Sequence, residues 1–580
     1  MLLWLTTMIA TAVTEAPAGF GPPAWYICTM PFNRRDFLSL AGAATLTTVQ
    51  AASPRKPNIV VILADDLGFS DIAPYGGEID TPNLTKLAKE GIRLRQFYNT
   101  ARCCPTRAAL LTGLYSHQAG VGHMMDDDGL PGYRGDLSRN AVTLAEALKP
   151  AGYTTLMCGK WHVTPDTADS HNWPLQRGFD KYYGTILGAG DYFNPVTLTR
   201  DNTPIEIDRK DYYYTDALGD QASAYIREHR AATPETPFFL YMAFTAPHWP
   251  LHALQPEIDK YKDRYKSGWD KLREERHQRQ LRMGLVDPKW GVTERDASVP
   301  AWDDAKDKEW QARRMAVYAA QVDRMDQNIG KILAALKQSG AEEDTLVMFL
   351  ADNGGCAEEL AAGGNPAGVR QKTVDGKVVQ KGNIPELMPG GEDGYQSYGI
   401  GWANASNTPF RLYKHWVHEG GISSPFIARW PARLKKNRGQ FSDQTGHLVD
   451  VMATCLDAAG AGYPTVNKGE KIQPAEGKSL LPSLAGGKPF ARELYWEHEG
   501  NRAMRDANWK LVSKFPGTWE LFDIAKDRTE RNNLATAMPD RVQAMGGKWD
   551  AWARRANVVP WAELQQRRKT RGRGAGRSGL

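Results

Sequence analysis

Asn58-Ile59-Val60-Val61-Ile62-Leu63-Ala64-Asp65-Asp66-Leu67-Gly68 is the stretch on which the architecture turns. Its apolar run, rich in β-branched residues and without polar alternation, predicts a strand buried on both faces, as in a parallel sheet covered by helices. The strand ends on two adjacent carboxylates. They repel each other, and a hard divalent cation with oxygen ligands is the natural compensation. The same arrangement returns some 290 residues later, where Thr345 to Ala351 forms a second apolar run ending in Asp352-Asn353-Gly354-Gly355. If the two strands are neighbours, Asp65, Asp66, Asp352 and Asn353 converge at the carboxyl ends of a sheet, where open α/β folds place their ligands.

Further elements follow the same plan. Thr81-Pro82 starts a helix that reaches Gly91, and Ile92 to Tyr98 reads as the next strand. Val142 to Lys149 is a helix stopped by Pro150 and Gly152. Tyr153 to Cys158 is a short strand delivering Gly159-Lys160-Trp161-His162, and two residues apart on a strand exit Lys160 and His162 can point the same way. Phe238 to Phe244 is another buried run, and it exits into a stiff Ala246-Pro247-His248-Trp249-Pro250 turn. From Ala312 to Lys337, Met315, Tyr318, Val322, Met325, Ile329, Ile332 and Leu336 alternate steps of three and four, the stripe of a packing helix. Ser423 to Trp430 reads as a strand and Leu448 to Ala459 as a helix. The charged segment 255–310 reads as an insertion over the surface. The Gly- and Pro-rich segment 356–400 reads as the rim of a pocket.

A second decisive stretch is Cys103-Cys104-Pro105-Thr106-Arg107-Ala108-Ala109-Leu110-Leu111-Thr112-Gly113. Pro105 suits a first helical turn, Ala108 to Leu111 are helix formers, and Gly113 can close the helix. Cys103 is thus expected just ahead of a helix N-terminus, beside unpaired N–H groups and the positive end of the dipole, with Arg107 one turn further on. A thiol in such surroundings is chemical rather than a packing element.

These blocks resemble the formylglycine-dependent sulfatases, of the arylsulfatase branch, within the alkaline-phosphatase-like superfamily. Cys103, Pro105, Arg107, Leu111, Thr112 and Gly113 match the signature C-x-P-x-R-x-x-x-L-T-G. Gly159-Lys160-Trp161-His162 is similar to the Gly-Lys-x-His block, and Pro247-His248-Trp249-Pro250 to the Pro-His-x-Pro block. Lys414, five residues before Glu419-Gly420-Gly421, resembles the second sulfate-binding lysine, although Tyr413 and His415 stand where the family commonly has glycines. The resemblance runs from about residue 56 to 540, where Glu520-Leu521-Phe522-Asp523 is similar to the family's C-terminal signature. It implies an α/β fold with a large, mixed, mostly parallel sheet sandwiched by helices and a small C-terminal antiparallel α+β subdomain. It also implies that Cys103 is oxidised to formylglycine by a separate generating enzyme and that its hydrate attacks sulfur. Asp65, Asp66, Asp352, Asn353 and the modified Cys103 would hold Ca²⁺, with Mg²⁺ as a second option. Lys160 and Lys414 would bind sulfate, Arg107 would steady the nucleophile, His248 would serve the leaving oxygen, and His162 would deprotonate the remaining hydroxyl. The activity implied is hydrolysis of a sulfate monoester, aryl or carbohydrate. A phosphomonoester or phosphonate hydrolase on the same fold and a non-catalytic sulfated-glycan binder are the alternatives.

Composition sets the outer limits. The chain has 580 residues, 42% apolar and 24% charged, enough for a large core. Of the formal charge of +5, Arg567, Arg568, Lys569, Arg571, Arg573 and Arg577 supply six; without this tail the balance is about −1, so no nucleic-acid partner is expected. Six cysteines do not make a disulfide framework, and Cys158, Cys356 and Cys455 read as buried small hydrophobes. Asn33-Arg34-Arg35-Asp36-Phe37-Leu38, with an apolar run to Val49, is a twin-arginine pattern beginning near Met30. The organisation expected is a leader over 1–52, a catalytic domain over 56–485, a subdomain over 486–560 and a disordered basic tail over 565–580. The expected location is exported, periplasmic or extracellular, by the twin-arginine machinery and without a membrane span.

Overall fold

The computed structural model describes residues 55–165, 170–188, 190–364 and 369–571. The leader and the end of the basic tail lie outside these. Lys56 onward forms one compact unit. At its centre is β1 (Asn58–Ala64), every residue of which is buried. Further strands of the same sheet are β2 (Ile92–Tyr98), β3 (Thr154–Gly159), β4 (Lys181–Thr185), β5 (Phe238–Ala243), β6 (Thr345–Ala351) and β7 (Phe426–Arg429).

Their spatial order is β2-β7-β6-β1-β5-β3-β4, within an 11-stranded sheet. The core pairs β6-β1, β1-β5, β5-β3 and β3-β4 are parallel, while β7 runs antiparallel between β2 and β6. β1 and β6 pair without a slip from Asn58 opposite Thr345 to Ala64 opposite Ala351. The two strands singled out by their shared ending are therefore neighbours in matched register. The alternating side chains of β1 enter two cores, Val60 and Ile62 one, Ile59, Val61 and Leu63 the other. This is why the run shows no polar alternation.

Helices cover both faces. The long α-helix Lys308–Gln338 presents Met315, Tyr318, Val322, Met325, Ile329, Ile332 and Leu336 to the first core. Cys103–Thr112 is an α-helix of the second core, closed by Gly113 at φ 68°. Cys103 is its first residue, after Arg102 as N-cap, one position further in than the sequence suggested. A four-stranded antiparallel sheet, Glu493–His498, Asn501–Asp506, Trp509–Ser513 and Glu520–Asp523, is covered by the helix Pro539–Arg555. Among the described residues no helix is long and apolar enough to cross a membrane.

Two expectations are corrected. Segment 255–310 is not a surface insertion. Its helix Gly268–Arg282 buries Trp269 and Arg276, and Arg276 reaches Asp71 at 2.6 Å and Glu78 at 2.8 Å. Burying a guanidinium this deeply requires such partners. The tail is also ordered further than expected. Trp561–Thr570 is an α-helix, and Arg568 lies 2.7 Å from Asp128. Cys158, Cys356 and Cys455 are buried free thiols, as expected.

Candidate active site

Strand ends and one helix start bring the chemistry-bearing residues together. Past the end of β1, Asp65 N donates to Ala246 O at 3.1 Å, while Asp352 N donates to Ala64 O at 3.0 Å and Lys160 N to Ala243 O at 2.8 Å. These bonds carry the sheet alignment one residue beyond each strand, into the site. Asp66 (φ 61°) and His162 (φ 56°) adopt left-handed backbone, uncommon for residues with a Cβ and often found where side chains are held for function.

The side chains form one buried network. Asp65 Oδ2 accepts from Lys160 Nζ at 2.6 Å and stands 3.2 Å from Arg107 Nη2, which also donates to Asp352 Oδ2 at 3.0 Å. Asn353 Nδ2 donates to Asp66 Oδ1 at 2.7 Å, and Lys414 Nζ lies 3.0 Å from the same oxygen. His248 Nε2 is 3.5 Å from Asp66 Oδ2, and its Nδ1 donates to the Trp249 carbonyl at 2.6 Å. That carbonyl fixes the proton on Nδ1, so a neutral His248 presents a lone pair at Nε2. Thr106 Oγ1 donates to Asp352 O at 2.6 Å, pinning the first turn of the Cys103 helix to the end of β6. Cys103, Arg107, Lys160, His162, His248 and Lys414 are all buried here with the four oxygen donors.

The charges are unevenly balanced. Burial pushes the Asp65 carboxyl up, but Lys160, His248 and Arg107 more than offset it and hold it well below the usual range. Asp352 goes the other way, raised by burial and then by Asp65 beside it. Asp65 thus faces both Lys160 and Arg107, while Asp352 has Arg107 alone. The Cys103 thiol is lowered, chiefly by a hydrogen bond from Cys104, with burial opposing and Lys160 and His162 helping. Cys104 is raised by burial and by the same bond. His162 is pushed down to about 4 by burial and then by Lys160, so it is neutral near pH 7, with Nε2 3.2 Å from Cys104 Sγ.

The donors suit a hard cation. Asp65 Oδ1 and Asn353 Oδ1 are buried without a hydrogen-bond partner, which is costly unless something else binds them. With Asp66 and Asp352 alongside, the set is all oxygen, as Ca²⁺ and Mg²⁺ prefer.

Glu358 was not singled out by the sequence. It is the centre of a bridge: Arg102 Nη1 donates to Oε1 at 2.8 Å, Trp249 Nε1 to Oε2 at 2.9 Å, and Lys414 Nζ lies 3.8 Å from Oε2. Burial raises its carboxyl, yet Lys414 and Arg102 outweigh this and hold it below the usual range. A lone Glu in a 45-residue irregular segment has no spacing to betray it.

The sulfatase family profile matches residues 57–461. The chain belongs to the sulfatase family. A second profile, the C-terminal region of N-sulphoglucosamine sulphohydrolase, matches residues 410–545 of this sulfatase. It is 35% identical over 450 residues to an arylsulfatase of Klebsiella aerogenes, covering 73% of this chain and 89% of that one. An uncharacterized sulfatase of Schizosaccharomyces pombe is 34% identical over 544 residues, covering 88% and 95%. Among solved structures, Ps i-CgsB in complex with k-i-k-neocarrahexaose has a TM-score of 0.63 at 22% identity, covering 89% of this sulfatase and 98% of that chain. At that identity the likeness speaks for the fold, and it agrees with the mostly parallel sheet and the antiparallel C-terminal sheet. The sulfatase is a sulfuric ester hydrolase, with relatives named as arylsulfatases and as N-acetylgalactosamine-6-sulfatases.

Proposed function

We propose that this sulfatase hydrolyses an aryl or carbohydrate sulfate monoester through a formylglycine at position 103. The observation that carries the reading is the enclosure of Cys103, at the first turn of its helix, by two lysines, two histidines and an arginine beside partnerless carboxyl and amide oxygens. An ordinary thiol would leave sulfate attached, whereas the hydrated aldehyde supplies both a nucleophile and a second hydroxyl through which sulfate is expelled. Lys160 and Lys414 bind the sulfate oxygens as point charges while charge redistributes. Arg107, fixed by Asp352 and by the Lys160 carbonyl at 3.0 Å, keeps positive charge beside the nucleophile. His248 passes a proton from Nε2 to the leaving oxygen, which requires its imidazolium form. His162, neutral, accepts the proton of the remaining hydroxyl. Asp65, Asp66, Asp352, Asn353 and the modified residue 103 would hold Ca²⁺ or Mg²⁺, which withdraws charge from sulfate oxygens when bound.

The Klebsiella relative, at 35% identity, supports aryl sulfates, and the relative named N-acetylgalactosamine-6-sulfatase, at 27%, keeps carbohydrate sulfates within the reading. On this reading a formylglycine-generating enzyme is an obligatory partner, and export by the twin-arginine route follows from Arg34-Arg35 in the leader. The test is the mass of the tryptic peptide Cys103–Arg107 from protein made in its native host, alongside turnover of an aryl sulfate and an aryl phosphate. One aldehyde in place of one thiol, with faster sulfate release, is the expected result. Two intact thiols in active protein would overturn the mechanism, and faster phosphate release would favour a phosphomonoesterase.

A further inference from the structure

A group of imidazoles lies beside the active site and has no part in the chemistry above. His415 follows Lys414. His498 ends one strand of the C-terminal sheet, and Glu499 is the first residue of the two-residue turn into the next. Ligand atoms of His415, His498 and Glu499 lie within 4.8 Å of one another. His415 Nδ1 is 3.1 Å from Glu499 Oε2, and His498 Nε2 is 3.8 Å from Oε1.

Three observations point to a ligand at this place. His498 is fully buried, yet neither ring nitrogen has a hydrogen-bond partner. A buried imidazole facing a carboxylate at a distance too long for a hydrogen bond is poorly satisfied unless an ion sits between them. Glu499, meanwhile, is oriented from outside the group: His123 Nε2 is 2.7 Å from Oε1, and Arg568 Nη2 donates to His123 Nδ1 at 3.0 Å. Since Nδ1 accepts, His123 carries its proton on Nε2 and donates it to the carboxylate. Metal-ligating carboxylates are held by such outer partners. Finally, His415 (φ 87°) and Glu499 (φ 51°) both occupy left-handed backbone, where glycine would be easier. At position 415 the resembling sulfatases commonly do have glycine, so the imidazole is held there at a conformational cost.

We infer that His415, His498 and Glu499 form a second metal site, taking a divalent transition ion of the Zn²⁺ class. Two imidazoles and one carboxylate are borderline donors that suit Zn²⁺ better than Ca²⁺, and three protein ligands leave room for a fourth. The ion replaces the proton now shared by His415 Nδ1 and Glu499 Oε2. His415 then carries its proton on Nε2, so the 3.3 Å contact with Asn501 Nδ2 is the one that must yield. Arg102 and Arg568 are the nearby cations, and Glu358 at 2.8 Å and Asp128 at 2.7 Å offset them. The ion would tie the loop bearing Lys414 to the C-terminal sheet. The inference does not depend on the sulfatase chemistry proposed for Cys103.

Calorimetric titration of Zn²⁺ into the full-length, chelator-treated and Ca²⁺-reloaded protein tests it. One equivalent is expected to bind, with His498→Ala weakening binding by at least about 10-fold. Cys103, Cys104 and His162 form another group that could capture Zn²⁺, and unlike the proposed site it contains thiols. Co²⁺ separates the two, because the His415 site gives no thiolate-to-cobalt band. Absence of Zn²⁺ binding, binding unchanged in His498→Ala, or a thiolate band that accounts for all of the bound Co²⁺ would each overturn the assignment. Should His498→Ala not fold, zinc-edge anomalous scattering from wild-type crystals decides: a peak between His415, His498 and Glu499 supports the site, and none there removes it.

Discussion

Glu358 accepts a hydrogen bond from Arg102 at 2.8 Å, tying the loop that follows Asn353 to the residue that caps the Cys103 helix. Its second oxygen is shared between Trp249 and the neighbourhood of Lys414. One partly buried carboxylate thus ties together Lys414, the turn bearing His248 and Trp249, and the start of the Cys103 helix. Glu358→Gln keeps the shape and removes the charge. It is expected to lower kcat/KM for an aryl sulfate by roughly 10- to 100-fold, the usual cost of losing a group that orients contact residues. Steady-state kinetics with an unchanged circular dichroism spectrum is the check; an activity within twofold of wild type would assign Glu358 to packing alone.

Removal of the hard cation should be felt in stability as well as in turnover. Asp65, Asp66, Asp352 and Asn353 crowd three carboxylates into one buried space. An ion that binds only the folded chain stabilises it by mass action. Chelation is expected to abolish turnover and lower Tm, with Ca²⁺ restoring both. Asp352→Asn, which lessens the repulsion, should make Tm less sensitive to the chelator. A Tm that ignores chelation in the wild type would contradict the assignment.

Away from the site, His252 and Asp191 form a buried pair at 3.3 Å. Burial lowers the imidazole, but Asp191 outweighs it and the net shift is upward from 6.5. Burial raises Asp191, but His252 outweighs that and the net shift is downward from 3.8. The histidine's contribution is therefore complete below pH 6.5 and fades as pH rises through its folded value, while the aspartate's is present above 3.8 and lost in acid. The Tm difference between wild type and His252→Asn should be largest near pH 5 to 6 and shrink by about pH 8. A difference that grows with pH would reverse the reading.

Arg276 is fully buried between Asp71 and Glu78. Arg276→Met leaves Asp71 without its cation and Glu78 with Arg279 alone, at 3.2 Å, and should cost about 3–5 kcal/mol, the range for breaking one side of a buried pair. Denaturant titration measures it. The triple change Arg276→Met, Asp71→Asn, Glu78→Gln should recover much of the loss, which a purely steric role would not allow.

The contrast between Arg276 and Asp65 explains what could be read in the sequence. Ile59 to Ala64 and Leu346 to Ala351 are buried by their own apolar side chains, so their place is written locally, and their shared endings told that they meet. The same holds for the stripe from Met315 to Leu336. Arg276 is buried by partners some 200 residues earlier, and nothing near it records them, so a charged helix read as surface. Arg568 was misjudged for the same reason, since its partner Asp128 is 440 residues away. Glu358 and His498 belong to this class too: single polar residues whose meaning comes from what the fold places opposite them.

The pairing of Ala64 with Ala351, together with the burial of Cys103, also sets a schedule. At a synthesis rate of roughly 5–20 residues per second, some 10–50 s separate the appearance of Cys103 from that of Ala351. Until β6 docks beside β1, the helix start is not pinned by Asp352 and the thiol is not enclosed. Afterwards Cys103 is only 2% exposed. On the formylglycine reading proposed above, an enzyme that converts Cys103 would have to compete with folding itself, and the fraction of active molecules would be a race between two rates, tunable by temperature or by slowing translation.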